Sequence, residues 1–473
     1  MAQPVLGILT LYLNNDGALE ERSIYQRMTV AGRKLGIDVF VFTPEDVNYK
    51  SNRIHAMVYD SLNKKWSRRW TSFPNLIFDR CRIQRSHRFE ELRRFRAKYG
   101  HLTFLNRPLR NKMTVHRTLS RDTRFTPHLP SSRMYESMAD LTAMLRKYPL
   151  IYLKPINGTG GRGILRIERT GDDRLLLQGR DQQRRIVPPQ RITTAELAGR
   201  LSSWNLKGGR YLVQQGIALK LPNGRVHDYR MLVQKDREGK WRLTGCAGRI
   251  GAPRSVTSNL HGGGQAATMN QLLKVWIKNE AKIEKVKQDA ERFGVQVAEY
   301  LEQSYGRLCE LALDLAIDKE GRVWLLEVNP KPAREVFNQA GDKETYQRAI
   351  IRPLEYALYL HDQKRKKKPS REPDASSGAS PGTGSGIASI ASTGDGSGIG
   401  LGAVNGGGSG SSPGTGSGTG AAASGTGAAA RAGSGVGARA AASSGSLPRS
   451  SDNKDASLEM SAADMRWAEH LIN

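Results

Sequence analysis

Cysteine is scarce. Cys81, Cys246 and Cys309 are the three in a chain of 473 residues, far apart and in no CxxC pair, which excludes a disulfide framework and a thiolate zinc site. A reducing compartment fits that usage, and a cytoplasmic location is the expectation. Long hydrophobic runs are missing as well. The apolar stretch Val5–Leu13 has no basic leader and no small-residue cleavage pattern, and it is too short to span a membrane, so it reads as a first buried strand. Aromatic residues make up 7% of the chain. They do not interleave with the basic residues in any recognisable reading motif, so nucleic acid is not the expected partner.

What the chain has in excess is positive charge and, near its end, glycine. The formal charge is +28, of which residues 1–363 carry +25, the run Lys364-Arg365-Lys366-Lys367-Lys368 adds +5, and residues 369–473 carry −2. A basic body favours anionic partners such as nucleotides, acidic peptides or anionic polymers. From Arg371 to Ser450 the sequence is nearly all Gly, Ser, Ala and Thr, with 23 of the 50 glycines, and a tract of that composition has no means of building a packed core. Four parts follow: an N-terminal α/β unit at 1–101, a second α/β domain at 102–362, the basic run with a disordered low-complexity linker at 363–456, and a terminal segment 457–473 that reads as one short helix.

In the first part strand and helix alternate: strands at Val5–Leu13, Asp38–Thr43 and Asn75–Asp79 with a helix near Glu20–Leu35 predict a parallel sheet. A helix is expected at 86–100. The second part opens with a helical stretch at Asn111–Arg121 and continues through a strand–loop–strand unit at 150–168. Further strands are expected at Arg210–Gln214, Tyr229–Val233 and Trp241–Gly248, then one long helix at Gln271–Tyr305. A last strand pair lies at Leu311–Asp318 and Val323–Val328. Asp236-Arg237-Glu238-Gly239 and Asp318-Lys319-Glu320-Gly321 read as tight hairpin turns.

The segment from Tyr152 to Ile164 carries Lys154-Pro155 followed by Gly158, Gly160, Gly161 and Gly163. Its GxGxxG string is not a dinucleotide fingerprint, because Ile164-Leu165-Arg166-Ile167 continues as a strand where that fold needs a helix. It is not a Walker loop either, since no Gly-Lys-Ser/Thr follows. A glycine-rich hairpin remains, whose missing side chains let backbone N–H groups approach phosphates, with Lys154 at its mouth as a point charge. The His-Arg-Asp and Asp-Phe-Gly strings of a protein kinase do not occur. Hard oxygen ligands occur instead at Glu327 and Asn329, two apart on one strand and hence on one face, with Asp314 on the preceding strand. Two carboxylates and an amide oxygen suit Mg²⁺ shared with nucleotide phosphates.

Taken in order, Lys154 with its glycine loop, Val213-Gln214-Gln215-Gly216-Ile217, Asp228-Tyr229-Arg230, Arg249, Asn259-Leu260-His261-Gly262-Gly263-Gly264, Asp314, Glu327 and Asn329 resemble the ATP-grasp superfamily. Within it residues 1–363 resemble the YheC/YheD family, described as associated with endospore coats. The Arg249-to-Asn259 spacing also resembles the RimK-like glutamate ligases. It departs at Thr257, where those enzymes often carry an arginine.

The resemblance implies a Rossmann-like unit preceding an ATP-grasp fold, with ATP and one or two Mg²⁺ as cofactors. It implies that Lys112 and Lys154 contact phosphates, that Gln214, Gln215 and Ile217 border adenine, and that Asp228 and Arg230 belong with the nucleotide-binding residues. Arg249 would stabilise the transferred phosphate, Asn259 and its glycines would form the acceptor loop, and Asp314, Glu327 and Asn329 would hold the metal. The expected activity is ligation of a carboxylate to an amine, thiol or hydroxyl through an acyl phosphate, on an acidic peptide or a cell-wall or spore component. The alternative is a coat protein that binds ATP without turnover. His227 reads as a polar strand-end residue, and His261 as a second candidate for a general base.

Overall fold

The computed structural model describes residues 3–82, 86–157, 161–204, 206, 210–260 and 262–366. Gly158, Gly160, His261, the linker beyond 366 and the terminal segment 457–473 lie outside them.

Three sheets carry the chain. The first contains β1 (Val5–Leu9), β2 (Asp38–Phe42), β3 (Val47–Asn48), β4 (Arg53–Asp60), β5 (Lys65–Thr71), β6 (Leu76–Asp79) and β7 (Thr103–Phe104), in the order β3-β4-β2-β1-β6-β7 with β5 on β4. Its strands β2, β1, β6 and β7 are parallel, as expected. Strands β3, β4 and β5 make it mixed, a departure from the expected parallel sheet. Helices α1 (Arg22–Lys34) and α2 (His87–Lys98) flank it. Helix α1 buries Ile24, Tyr25 and Met28, a stripe at helical spacing that packs on Leu6, Ile8, Val39 and Val41.

The second sheet is antiparallel throughout and contains β8 (Ser132–Met134), β9 (Leu150–Pro155), β10 (Ile164–Arg169), β11 (Arg174–Arg180), β12 (Ile186–Thr193) and β13 (Tyr211–Gln215), ordered β12-β11-β10-β9-β13-β8. Helix α3 (Lys112–Leu119) precedes it, and α4 (Met138–Lys147) and α5 (Leu197–Leu201) cover one face. Their Leu141, Leu145, Leu197 and Leu201 form one core with Ile151, Leu153, Leu165 and Val213.

The third sheet, also antiparallel, has the order β16-β15-β14-β17-β18, with β14 (His227–Lys235), β15 (Trp241–Ile250), β16 (Gln265–Thr268), β17 (Glu310–Ile317) and β18 (Val323–Asn329). The long helix expected at Gln271–Tyr305 is two, α6 (Met269–Trp276) and α7 (Glu280–Tyr305). Lys278 takes a left-handed φ of 64° and Asn279 caps the second helix by accepting from the Lys282 N–H at 2.8 Å, a start signal that interrupts the apolar periodicity. After the sheet come α8 (Glu335–Gln339) and α9 (Lys343–Lys366). Helix α9 packs against α1 on one side and against β14 and β15 on the other, tying the first sheet to the third. No described helix is long and apolar enough to cross a membrane.

Candidate functional site

Alternation along β14 sorts its side chains onto two faces. His227, Tyr229 and Met231 are buried, and Tyr229 and Met231 join the core beneath α6 and α7. His227 packs edge-on to Trp276, its Nδ1 lies 2.9 Å from the Leu219 carbonyl, and burial pushes its pKa down to about 4. It is a core histidine, at the start of its strand as expected but turned away from the opposite face.

That opposite face carries the charges. The antiparallel registers set Asp228 opposite Arg249, Arg230 opposite Asp314, and Asp314 opposite Glu327. Arg249 forks onto Asp228 with bonds of 2.7 and 2.6 Å and reaches Asp314 at 3.1 Å. Arg230 forks onto Asp314 at 2.6 and 3.0 Å. Burial alone would raise the Asp314 pKa, but the Arg230 and Arg249 guanidiniums outweigh it and hold the carboxyl below its ordinary range. Asn329 Nδ2 is 3.4 Å from Asp314 Oδ2. Glu327 pairs with Lys112 at 3.2 Å.

Lys112 is the first residue of α3, whose cap is Asn111 accepting from the Thr114 N–H at 2.9 Å. From the second sheet, Lys154 Nζ donates to Gln214 Oε1 at 2.6 Å, and Gln214 Nε2 donates to Ser132 Oγ at 2.9 Å. Burial, with the Lys112 charge beside it, lowers the Lys154 pKa to about 8. These groups line one cleft between the sheets: Lys112, Lys154, Gln214, Ser132 and Glu327 form its polar part, while Val115, Leu212, Leu325 and Val328 are among its apolar walls. The cleft thus combines apolar walls with two cations and a carboxylate.

The glycine hairpin comes close to the loop after β15. A Cβ on Gly161 would fall 2.3 Å from Asn259 Nδ2, and Gly161 and Gly163 both have left-handed φ, 73° and 63°. Any other residue would be strained there and would push Asn259 away. The Gly163 N–H donates to the Asp181 carbonyl at 3.0 Å, so it joins the hairpin to the β11–β12 turn. Gln215 is a brace: its Oε1 accepts from the Ser131 N–H at 3.1 Å and its own N–H donates to the Ser131 carbonyl. Ile217 packs with Ala316 and Trp324 and against Leu326, and Leu326 lines the cleft.

A family model described as YheC/D-like ATP-grasp matches residues 101–360. The chain belongs to the YheC/D-like ATP-grasp family. Its two antiparallel sheets with a cleft between them are the ATP-grasp fold in this chain. Two curated relatives come from Bacillus subtilis (strain 168). The endospore coat-associated protein YheD is 25% identical over 365 residues, 76% of this chain and 79% of that protein. The endospore coat-associated protein YheC is 27% identical over 343 residues, 71% and 91%. Among solved structures, the VanG D-Ala:D-Ser ligase from Enterococcus faecalis aligns with a TM-score of 0.42 and 11% identity, over 75% of this chain and 100% of that one.

Within this YheC/D-like ATP-grasp chain, Lys112, Lys154, Gln214 and Glu327 meet in the cleft, and Asp314, Asn329, Asp228, Arg230 and Arg249 form the adjoining charged floor. Asp314, Glu327 and Asn329 supply three oxygen-bearing groups on neighbouring strands, a donor set that fits a hard divalent cation. Among the described residues no three His, Cys, Asp or Glu gather as a metal cluster. The set here has two carboxylates and an amide.

Sequence reasoning missed the buried ions further along the same face of the third sheet. Arg80, at the end of β6, bridges Glu310 of β17 at 2.5 Å and Glu21 at 2.7 Å, and Arg334 also pairs with Glu310 at 2.5 Å. Lys331 pairs with Asp79 at 3.1 Å. Together they anchor residues 331–334, directly after Asn329, to the first sheet.

Proposed function

We propose that this chain is an ATP-dependent ligase that activates a carboxylate as an acyl phosphate and transfers it to an amine, thiol or hydroxyl. The observation that carries this reading is the cleft itself, where Lys112 of α3 and Lys154 of the second sheet meet Glu327 of the third, with the Asp314–Arg249 floor beside them. Lys112 and Lys154 bind the nucleotide phosphates, and Gln214, Gln215 and Ile217 form the adenine side, Gln215 as the brace that fixes the strand end. Asp314, Glu327 and Asn329 would hold Mg²⁺, one ion or two, which when bound neutralises phosphate charge.

A carboxylate is a poor electrophile and repels the γ-phosphate, so the protein's task is to neutralise charge between two anions. Asp228 orients the Arg249 fork toward that point. The carboxylate oxygen bonds to the γ-phosphorus as the β–γ bridge breaks and ADP leaves. The acceptor then bonds to the acyl carbon, the C–O bond to phosphate breaks, and the acceptor's proton is lost. Asn259 and Gly262–Gly264 form the acceptor loop, and closing of the two sheets on the cleft keeps water out. The names of the two Bacillus relatives support a place at the spore coat, in or beside the mother-cell cytoplasm.

A second reading is a coat component that binds ATP without turnover. It is favoured by one observation, the pairing of Asp228 and Asp314 with Arg230 and Arg249, which balances the floor's charge internally. ADP release measured across a panel of acids and amines separates the two: release that depends on an acid supports the ligase, and tight Mg-ATP binding with no release supports the coat component.

A further inference from the structure

Arg180, the last residue of β11, is 6% exposed and has no carboxylate within ion-pair distance among the described residues. Its Nε and Nη2 donate only to the backbone carbonyl of Arg184, at 3.2 and 3.0 Å. A buried guanidinium satisfied by one neutral carbonyl keeps its full charge in a place where charge is costly. The acid nearest in sequence is already engaged: Asp181 accepts from the N–H groups of Gln183 and Arg185 and pairs with the Arg185 side chain at 2.6 Å.

Two more cations stand with it. Arg184 forms no ion pair among the described residues, and its Nε is buried without a hydrogen-bond partner. Arg162, exposed on the glycine hairpin, also has none. The Gly163 N–H bond to the Asp181 carbonyl at 3.0 Å brings the hairpin that carries Arg162 onto the turn between Arg180 and Arg184, and burial, then the charges of Arg162 and Arg180, lower the Arg184 pKa. The group meets the loop after β15: a Cβ on Gly262 would lie 2.7 Å from Arg180 Nη2 and 3.2 Å from Nη1. Arg180 is not among the residues lining the cleft that holds Lys112 and Lys154.

We infer that Arg180, with Arg162 and Arg184, binds an oxyanion of the acid substrate, so that the substrate carries a carboxylate or phosphate besides the carboxyl that is activated. This rests on the ligase reading, which puts the acceptor loop of Asn259 and Gly262 beside the transferred phosphate. An oxyanion at this seam has two sources, the substrate and the γ-phosphate of ATP. The position of Arg180 outside the cleft favours the substrate.

The test uses the full chain, wild type against Arg180→Gln, Arg180→Lys and Arg162→Gln. Inorganic phosphate and citrate are titrated at constant ionic strength while thermal unfolding is followed. Apparent affinity for both anions should be about tenfold weaker in Arg180→Gln, the loss expected for one charge-assisted contact. Arg180→Lys should recover part of it. Arg162→Gln should weaken anion binding by a smaller factor, and as a surface change it keeps the test open if Arg180→Gln does not fold.

Equal anion affinities in wild type, Arg180→Gln and Arg162→Gln overturn the inference. AMP-PNP and ADP, each with Mg²⁺, are measured on the same proteins. If Arg180→Gln weakens AMP-PNP while sparing ADP, the guanidinium belongs to the γ-phosphate and the substrate assignment is overturned. If wild type binds neither nucleotide, the ligase reading fails by itself, whatever the anion titration gives.

Discussion

Arg249 and Asp228 face each other across the β14–β15 ladder and make a two-point ion pair, 2.7 and 2.6 Å long, in which both side chains are almost wholly buried. Because Asp314 also touches Arg249 at 3.1 Å, the guanidinium is fixed between two carboxylates. Its direction is set before any ligand arrives, which is the requirement for electrostatic preorganisation.

Asp228→Asn should therefore cost stability, on the order of 3 kcal/mol for one partner of a buried pair, and should reduce turnover by more than it weakens nucleotide binding. Denaturant midpoints and nucleotide titrations check the two parts. Unchanged stability would mean that Asp314 alone suffices to hold Arg249.

Lys154 gives a pH dependence with a definite sign. Its pKa is lowered from an ordinary 10.5 to about 8, so between those values the unfolded chain binds more protons than the folded one. Stability from this group therefore rises with pH across that window, and its burial cost is fully present below about pH 8. Phosphates placed against it would favour the charged form, so nucleotide binding near pH 8 to 9 should take up a proton. Calorimetry in buffers of different ionisation enthalpy reads that uptake, and Lys154→Met should remove it.

Two carboxylates of the third sheet should behave in opposite ways. Glu327 pairs with Lys112 at a partly solvated cleft wall, so Glu327→Ala with Asn329→Ala should change stability by no more than about 1 kcal/mol while abolishing the Mg²⁺ dependence of nucleotide binding. Glu310 lies between Arg80 and Arg334, all three essentially unexposed. Glu310→Ala leaves two buried cations short of their anion and should cost about 3–5 kcal/mol. Thermal unfolding without nucleotide or metal compares them directly.

The contrast between Glu327 and Glu310 also marks what the sequence discloses. Glu327, Asn329 and Asp314 were legible because strand alternation and a hairpin are local rules that bring them to one face. Lys154 was legible from the Lys-Pro and glycine composition of its string, of which Gly158 and Gly160 lie outside the described residues. The Arg80–Glu310 pair joins residues 230 apart, and no local pattern points to it. Strand β5 went unread because Lys-Trp-Ser-Arg-Arg-Trp-Thr is largely exposed and charged, and so shows no apolar face. The break between α6 and α7 was hidden by an apolar rhythm that resumes after Asn279. Arg180 gave no signal at all, since its lack of an ion-pair partner among the described residues is a three-dimensional fact.

Acid-dependent ADP release by wild type and Arg249→Ala, measured beside Mg-ATP affinity, decides whether phosphoryl transfer to an acid takes place at this cleft. ADP should appear only when a carboxylate substrate is present, with release lost in Arg249→Ala and nucleotide affinity changed much less, because the arginine's charge matters most where negative charge gathers in the transition state. Tight Mg-ATP binding with no acid-dependent ADP across polyanionic acids, or equal loss of binding and release in Arg249→Ala, would contradict this expectation.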